Sequence, residues 1–334
     1  MIAIDMHAHA LVPSVEALVR GSEGRERERT AQARVTGSAS LAHNATLGPV
    51  YGPKLTDLAT RLRDMDAMQV DWQVVSIGPG QYYYWAEPAL AAQIATAANE
   101  HIASLVAAAP GRLLGFATVA MQHPTLAVEQ LTHAVRALGL RGVMVRTSVG
   151  DVELADPRYE PFWAAAAELG AVVFIHPLGC SLGERIAPYY LSNVIGNPTE
   201  TTIALSLLIF GGVFDRHPGL KLVAAHGGGY LPFYIARSDH GFAVRPEART
   251  MAHPPSHYLR QITFDSLVYT PTQLRHLIDQ VGVSQVVLGT DYPYDMGVDD
   301  PLVTLGAVDG LTDDDRDAIR GGNAARLLGI EVTR

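Results

Sequence analysis

The sequence has few cysteines, no cluster of basic residues and no long apolar run. Cys180 is the only cysteine among 334 residues, which excludes an internal disulfide and suits the reducing cytoplasm. The formal net charge is −9, and the lack of basic runs argues against a nucleic-acid partner. The longest apolar stretch, residues 203–214, is interrupted by Ser206, Gly211 and Gly212 and is too short for a membrane helix. We therefore expect a cytoplasmic protein without nucleic-acid or membrane partners.

Short apolar segments alternate with helical segments along the whole chain. Eight segments are short, apolar and rich in valine, namely 2–9, 73–77, 114–119, 142–145, 171–175, 220–225, 262–265 and 286–289. Such runs are typical of parallel strands that are buried on both faces. Eight β/α units predict an α/β fold of the (β/α)₈ TIM-barrel type, with one domain over residues 1–334. The alternative, a doubly wound open sheet, favours a glycine-rich loop after the first strand, where this chain has histidines.

A long insertion follows the first predicted strand, over residues 10–55. It shows no clear hydrophobic period, and Gly48-Pro49 and Gly52-Pro53 predict a loop near its end. An insertion at this position of a barrel is placed to cover the site as a lid. A helix is expected directly after it, because Leu58 and Met65 belong to an apolar stripe with helical spacing.

Histidines and one aspartate stand at the ends of several predicted strands. His7 and His9 end the first strand, His176 the fifth, His226 the sixth and Asp291 the eighth. In a (β/α)₈ barrel the carboxyl ends of all strands lie on one rim, which carries the active site. A lone histidine of this kind is most often structural. Five such residues at matching positions predict a metal site.

The residue types indicate which ion this site would prefer. Imidazole nitrogen and carboxylate oxygen favour zinc, and manganese or another divalent ion stays open. If His7, His9, His176 and Asp291 bind the ion, a position is left for water or substrate, as in a catalytic site. His226 is then free to move protons as a general acid or base.

Three other motifs carry weaker signals. The run His226–Gly229 is similar to an oxyanion-hole loop, but the chain has no Gly-x-Ser-x-Gly motif, so the glycines are expected to allow close backbone approach. Arg237 and Arg245 could bind a substrate carboxylate or form structural salt bridges. The aromatic run 82–85 follows the second strand and could line a pocket or belong to the core.

Several motifs together resemble a known family. They are Asp5-Met6-His7-Ala8-His9, Phe174-Ile175-His176-Pro177, Pro198-Thr199-Glu200-Thr201-Thr202, Gly211-Gly212-Val213-Phe214, Ala225-His226-Gly227-Gly228-Gly229, the segment 237–245 and Leu288-Gly289-Thr290-Asp291-Tyr292-Pro293. With them the chain resembles, nearly end to end, the amidohydrolase superfamily and its branch typified by aminocarboxymuconate semialdehyde decarboxylase. That branch consists of metal-dependent (β/α)₈ barrels, most of which decarboxylate their substrate without oxygen or an organic cofactor.

The resemblance also assigns roles to individual residues. It implies that His7, His9, His176 and Asp291 bind the metal ion and that His226 is the catalytic acid and base. Asp291 is a second candidate for delivering the proton. The resemblance further implies that Arg237 and Arg245 lie near the substrate. Its counterpart of Arg237 reaches into the neighbouring subunit's site, so a homodimer or higher homo-oligomer is expected.

Two departures from the family pattern fall on substrate contacts. The family's substrate-binding arginine after the first strand has no counterpart in residues 48–54, where Lys54 is the only cation. The family's tryptophan after the fifth strand is replaced near Ser192-Asn193. The ligand set is unaffected, so the chemistry is expected to persist while the substrate stays open. A benzoate-type or other small unsaturated carboxylate fits as well as aminocarboxymuconate semialdehyde.

Two rival functions remain open at this point. The same ligand set also suits a hydrolase or hydratase, in which metal-bound water attacks a lactone, amide or unsaturated acid. A binuclear hydrolase with a carboxylated lysine is disfavoured, because the fourth strand ends in Val145-Arg146-Thr147. The second rival is a barrel that binds a ligand without catalysis, against which the complete ligand set and the free His226 argue.

Overall fold

A computed structural model describes residues 2–331. Its centre is a ring of eight parallel strands, and a small antiparallel hairpin, β5 and β6, lies outside the ring. The strands are β1 Ile4–Ala10, β2 Trp72–Ile77, β3 Leu113–Gly115, β4 Gly142–Arg146, β5 Ser148–Val149, β6 Val152–Glu153, β7 Val172–His176, β8 Lys221–Ala224, β9 Ile262–Asp265 and β10 Val286–Val287. Nearly all residues of the ring strands are buried, as expected of parallel strands that face the core on both sides.

Isolated backbone pairings close the ring. The hydrogen-bonded strand order is β1-β2-β3 in one sheet and β4-β7-β8-β9-β10 in the other. Parallel bridges from Asp5 to Leu288 and from Ala117 to Val143 join the two sheets at both seams. The predicted (β/α)₈ barrel is therefore confirmed. The third strand, β3, ends at Gly115 and is therefore shorter than the predicted segment 114–119. Beyond Gly115, Ala117 forms a single bridge to Val143 of β4.

Helices surround the barrel. They are α1 Pro13–Val19, α2 Glu23–Thr36, α3 Ser38–Thr56, α4 Leu58–Ala67, α5 Pro88–Ala108, α6 Pro124–Arg136, α7 Glu160–Leu169, α8 Asn197–Phe210, α9 Val213–Arg216, α10 Leu231–Val244, α11 Pro255–Tyr258, α12 Pro271–Val281, α13 Pro301–Gly306, α14 Asp313–Asp317 and α15 Asn323–Leu328. In α12, Leu274, Leu277, Ile278 and Val281 are buried on one face, the stripe expected of a helix that covers a barrel. Among residues 2–331, every helix is too short or too polar to span a membrane.

The insertion after β1 differs from its prediction. The loop predicted at Gly48-Pro49 and Gly52-Pro53 is wrong, because both prolines lie inside α3. Proline disfavours helix interiors, and α3 has no buried residue, so no apolar stripe marked it in the sequence. Contacts with distant segments hold the helix: the Tyr51 hydroxyl accepts a 2.8 Å hydrogen bond from the Asp295 backbone N–H. The helix predicted after the insertion is confirmed as α4.

Two glutamates attach the insertion to the loop after β2. Glu16 of α1 accepts hydrogen bonds from the Gln81 amide, at 3.0 Å, and from the Tyr83 hydroxyl. Glu28 of α2 accepts from the Trp85 indole at 3.0 Å and pairs at 2.9 Å with Arg146, which ends β4. The aromatic run 82–85 is thus used in packing beneath the insertion.

Candidate metal centre and active site

Four side chains converge at the carboxyl end of the barrel. His7 and His9 come from β1, His176 from the end of β7, and Asp291 follows β10. All four are buried, and one donor atom of each lies within 4.8 Å of the others. Asp291 Oδ1 is 3.1 Å from His9 Nε2, 3.3 Å from His7 Nε2 and 4.0 Å from His176 Nε2. Three nitrogens and one oxygen that face a common point form the donor set of a single divalent ion.

The other ring nitrogen of each histidine has its own partner. His7 Nδ1 is 2.7 Å from Asp265 Oδ2, His176 Nδ1 is 2.7 Å from the Pro177 carbonyl oxygen, and His9 Nδ1 is 3.3 Å from the Ser76 hydroxyl. The carboxylate and the carbonyl oxygen each accept a hydrogen bond from Nδ1–H, which leaves the Nε2 lone pairs of His7 and His176 free to bind a metal ion. Both Nε2 atoms are buried, and no hydrogen bond from the described residues reaches them. The Nε2 atoms of His7 and His176, which are buried without a hydrogen-bond partner and close together, are suited to bind a metal ion.

Asp265 is a functional residue that the sequence reasoning missed. It ends β9, is fully buried, and its second oxygen accepts the Gly227 N–H at 2.8 Å. Its carboxylate thus fixes both the ring of His7 and the start of the loop after β8. A signal was present, because Asp265 is an ionisable residue at a predicted strand end like His176 and Asp291.

The charges of the cluster favour a cation at its centre. Burial raises the pKa of Asp291, but the nearby imidazoles, that of His7 above all, outweigh burial and hold the pKa well below its usual range. Burial and the neighbouring imidazoles lower the pKa of His176 well below its usual range, so this ring is neutral. Burial also opposes charge on His7, yet the carboxylates of Asp291 and Asp265 raise its pKa to about 10. The carboxylates therefore stabilise positive charge at this point, and a metal ion can replace the proton.

His226 completes the cluster without belonging to the donor set. It follows β8, and its Nε2 lies 3.5 Å from Asp291 Oδ2, the oxygen that is not nearest to the histidine ligands. His226 and Asp291 adopt φ of 56° and 57°, a left-handed backbone that is rare outside glycine and concentrates at functional sites. Both side chains line a cavity of about 420 Å³, behind which His7 and His9 are buried. His226 and Asp291 are therefore accessible from the cavity.

The glycines after His226 serve close approach, as predicted. A Cβ atom on Gly229 would lie 2.2 Å from the carbonyl oxygen of Pro198 in α8. A Cβ atom on Gly227 would lie 2.5 Å from Val268. The loop thus packs directly against α8 and against the segment after β9, which brings His226 to the mouth of the cavity.

The cavity wall is mostly apolar and aromatic. It includes Val194, Phe233, Leu267 and Tyr269, together with the amide side chains Asn193, Asn197 and Gln273. No lysine or arginine lines it among the described residues. The aromatic run 82–85 does not line the cavity either. Of the two predictions for these residues, a pocket wall or core packing, core packing is therefore the one that holds. No sequence motif pointed to Asn193 or Asn197, except that the family's tryptophan is replaced near Asn193.

In a single chain, the side chains predicted to bind the substrate carboxylate, Arg237, Arg245 and Lys54, lie outside this cavity. Arg237 is exposed on α10. Arg245 caps the same helix, its side chain is 67% exposed, and its Nε lies 2.7 Å from Glu247. Lys54 lies 3.5 Å from Asp64 and stacks on the Tyr292 ring. A single chain therefore brings together the donor set and His226, but no positively charged residue for a substrate carboxylate.

Comparisons with known proteins show the family of this chain. The model of the amidohydrolase family matches residues 4–330. The 2-amino-3-carboxymuconate-6-semialdehyde decarboxylase of Dictyostelium discoideum is 36% identical over 280 residues, which cover 83% of this chain and 78% of that protein.

Solved structures share the whole architecture. The 5-carboxyvanillate decarboxylase of Sphingomonas paucimobilis is 26% identical, with a TM-score of 0.85 and 99% of both chains covered. A dihydroxybenzoic acid decarboxylase of Polaromonas sp. JS666, solved with bound manganese, is 22% identical with a TM-score of 0.81, and the match covers 98% of this chain and 97% of that one. Because the second structure is only 22% identical, it supports the shared fold and nothing more specific. The donor set, the relatives and the family match together show that this chain belongs to the amidohydrolase family, as a metal-dependent enzyme of the carboxy-lyase class.

Proposed function

We propose that this chain removes carbon dioxide from a small unsaturated or aromatic carboxylate, with one divalent metal ion and without oxygen or an organic cofactor. The observation that carries the proposal is the position of His226 and Asp291. They face the cavity beside the buried Nε2 atoms of His7 and His176, which accept no hydrogen bond from the described residues, and beside His9, whose Nε2 is 3.1 Å from Asp291 Oδ1. His7, His9, His176 and Asp291 hold the ion, and His226 handles the proton.

The reaction needs a place for an electron pair and a source for one proton. When bound, the ion supplies Lewis-acid stabilisation of negative charge on a substrate oxygen. Cleavage of the bond to the carboxylate releases carbon dioxide and leaves the electron pair on the substrate carbon, where conjugation spreads it. His226 Nε2 delivers a proton to that carbon, and Asp291 Oδ2, 3.5 Å away, stabilises the protonated imidazole beforehand. His226 then recovers its proton from water, so one proton is consumed for each carbon dioxide released.

Zinc is the ion that we propose. Three imidazole nitrogens and one carboxylate oxygen suit zinc, and manganese is the alternative because one neighbour of the same fold was solved with it. Stripping the protein with a chelator and reloading it with zinc, manganese or magnesium distinguishes the ions. We expect the native ion to restore most activity, and magnesium, which prefers oxygen ligands, to restore little.

Mass spectrometry on a substrate panel tests the reaction type. Metal-loaded protein and a chelated control are incubated with benzoates, unsaturated acids, lactones and amides. We expect metal-dependent loss of carbon dioxide from at least one benzoate or unsaturated acid. Metal-dependent gain of water without loss of carbon dioxide would refute the decarboxylase and indicate a hydrolase or hydratase.

We further propose that the active enzyme is a homodimer or a higher homo-oligomer in which Arg237 of one subunit serves the site of the next, with Arg245 beside it. Among residues 2–331 of one chain, no lysine or arginine lines the cavity, and α10 exposes Tyr234 and Val244 by 67% and 54%. An exposed apolar helix face next to an exposed arginine suits a subunit contact.

Mixing two inactive variants tests this arrangement. Subunits that carry His226→Ala and subunits that carry Arg237→Ala are unfolded together and refolded, or co-expressed. If Arg237 acts in the neighbouring subunit, a hybrid dimer contains one intact site and the mixture regains up to about a quarter of the wild-type activity. If Arg237 acts within its own subunit, every site lacks one group and no activity returns.

A further inference from the structure

Two amide side chains in the cavity wall, those of Asn193 and Asn197, differ from the tyrosine hydroxyls there. The hydroxyl of Tyr269 donates to the Met296 carbonyl oxygen at 3.0 Å, and that of Tyr230 donates to the Val194 carbonyl oxygen at 3.2 Å. The amides of Asn193 and Asn197 make no hydrogen bond to any residue in the part of the chain that the structure describes. Two partly buried amides therefore face the cavity with free donors and acceptors.

The backbone places these two amides side by side. Residues Ser192–Gly196 form a π-helical turn that runs into α8, which begins at Asn197. Such turns are rare and are frequent at functional sites. Residues four apart share a helix face, and here that face is turned to the cavity. Packing fixes the turn, because a Cβ atom on Gly196 would lie 3.0 Å from both Cys180 and Ile186.

We infer that Asn193 and Asn197 form a specificity element that reads an uncharged hydrogen-bonding substituent of the substrate, such as a hydroxyl or a carbonyl oxygen. An amide offers two N–H donors and one acceptor oxygen and carries no charge. Since the described residues of this chain place no lysine or arginine in the wall, a second carboxylate at this place would lack a cation from them to pair with. A neutral polar group satisfies the amides without the cost of burying a charge.

This inference deepens the proposed function and rests on it, because it takes the cavity beside His226 as the substrate site. A methyl group in place of the substituent would leave both amides unpaired against an otherwise apolar wall. Leaving a buried polar group unpaired costs more than one hydrogen bond contributes, so sites of this kind discriminate by hydrogen bonding. We expect a preference of about tenfold or more for the polar substituent.

Calorimetric titration of the metal-loaded protein tests the inference without requiring turnover. The probes are benzoates with a hydroxyl at ring position 2, 3 or 4, each compared with the benzoate that carries a methyl group there. At one position at least, the hydroxyl probe should bind about tenfold more tightly than its methyl partner. Asn193→Leu and Asn197→Leu should each reduce that ratio to within about twofold, with unchanged metal content and unchanged affinity for the methyl probe. Gln280→Leu, an exposed amide on α12 outside the cavity, should leave the ratio intact.

Some outcomes would overturn the inference. Equal affinities for every pair in the wild type would do so, and so would a hydroxyl preference that survives both substitutions. Asn193→Ala and Asn197→Ala serve as second variants if the leucine variants do not fold, since alanine also removes the amide. Release of carbon dioxide from the same probes is recorded in parallel. Release without an amide-dependent preference refutes this inference alone, whereas an amide-dependent preference without release from any carboxylate refutes the proposed function alone.

Discussion

The metal centre is buried, and each of its histidines has a partner at Nδ1. In the insertion, by contrast, α1 contributes Val15 and Val19 to the hydrophobic core, whereas α2 and α3 contribute no residue to it. His7 and His9 are at most 1% exposed, while the 19 residues of α3 include no buried residue. The first region fixes donor atoms in space, and the second packs against the loops after β2 and β7. We therefore expect substitutions at the metal centre to abolish turnover, and substitutions in the insertion to leave turnover nearly unchanged.

Removal of a metal ligand should have the largest effect. His9→Ala deletes a donor near the end of β1, and the remaining ligands do not complete the set. We expect metal content after desalting to fall well below one ion per chain and carbon dioxide release to drop by about 10³-fold or more. Elemental analysis and the release assay measure both. Wild-type metal content in this variant would show that the ion lies elsewhere.

His226→Ala should separate proton transfer from metal binding. We expect turnover to fall by about 10²- to 10⁴-fold while metal content stays at the wild-type level, because His226 is not in the donor set. His43→Ala, an exposed histidine on α3 of the insertion, is the matched control and should behave as the wild type. Near-normal turnover of the His226 variant would remove this residue from the mechanism.

Asp265→Asn probes the partner of a ligand. An asparagine amide can donate to His7 Nδ1, which would move the ring proton to Nε2 and block the donor nitrogen. We expect metal affinity to fall by about 10- to 100-fold, measured by competition with a chromophoric chelator. Excess metal ion should rescue turnover, which a misfolded variant would not allow. Asp309→Asn, an exposed carboxylate near the carboxyl terminus, is the control, and equal affinities in the two variants would contradict the assigned role.

Glu28→Gln should have the smallest effect and tests the insertion itself. The pair Glu28–Arg146 is 22% and 15% exposed, so loss of the charge should reduce the free energy of unfolding by about 1 kcal/mol. Turnover should change less than about twofold. Thermal unfolding and the release assay measure the two quantities. Glu23→Gln, whose partner Arg27 is largely exposed, should change neither, and a large loss of turnover in the Glu28 variant would show that the insertion takes part in catalysis.

The sequence predicted the metal centre far better than its surroundings. His7, His9, His176 and Asp291 were recognisable because each stands at a strand end, and strand ends are marked by local patterns of apolar residues. Asp265 had the same local signature, but its importance follows from contact with His7, which is 258 positions away in the chain. The helical insertion was missed because α3 has no apolar stripe and contains two prolines.

By itself the sequence determined the eight β/α units and the barrel they imply, and it pointed to the four residues that the structure brings together. Local periodicity encodes strands and helices, and the topology of a parallel barrel gathers all strand ends on one rim. Only the tertiary structure decided which nitrogen of each histidine faces the centre, that α3 is helical, and that Asn193 and Asn197 face the cavity while Arg237 and Arg245 do not. These features depend on contacts between residues far apart in the chain, and such contacts have no local pattern.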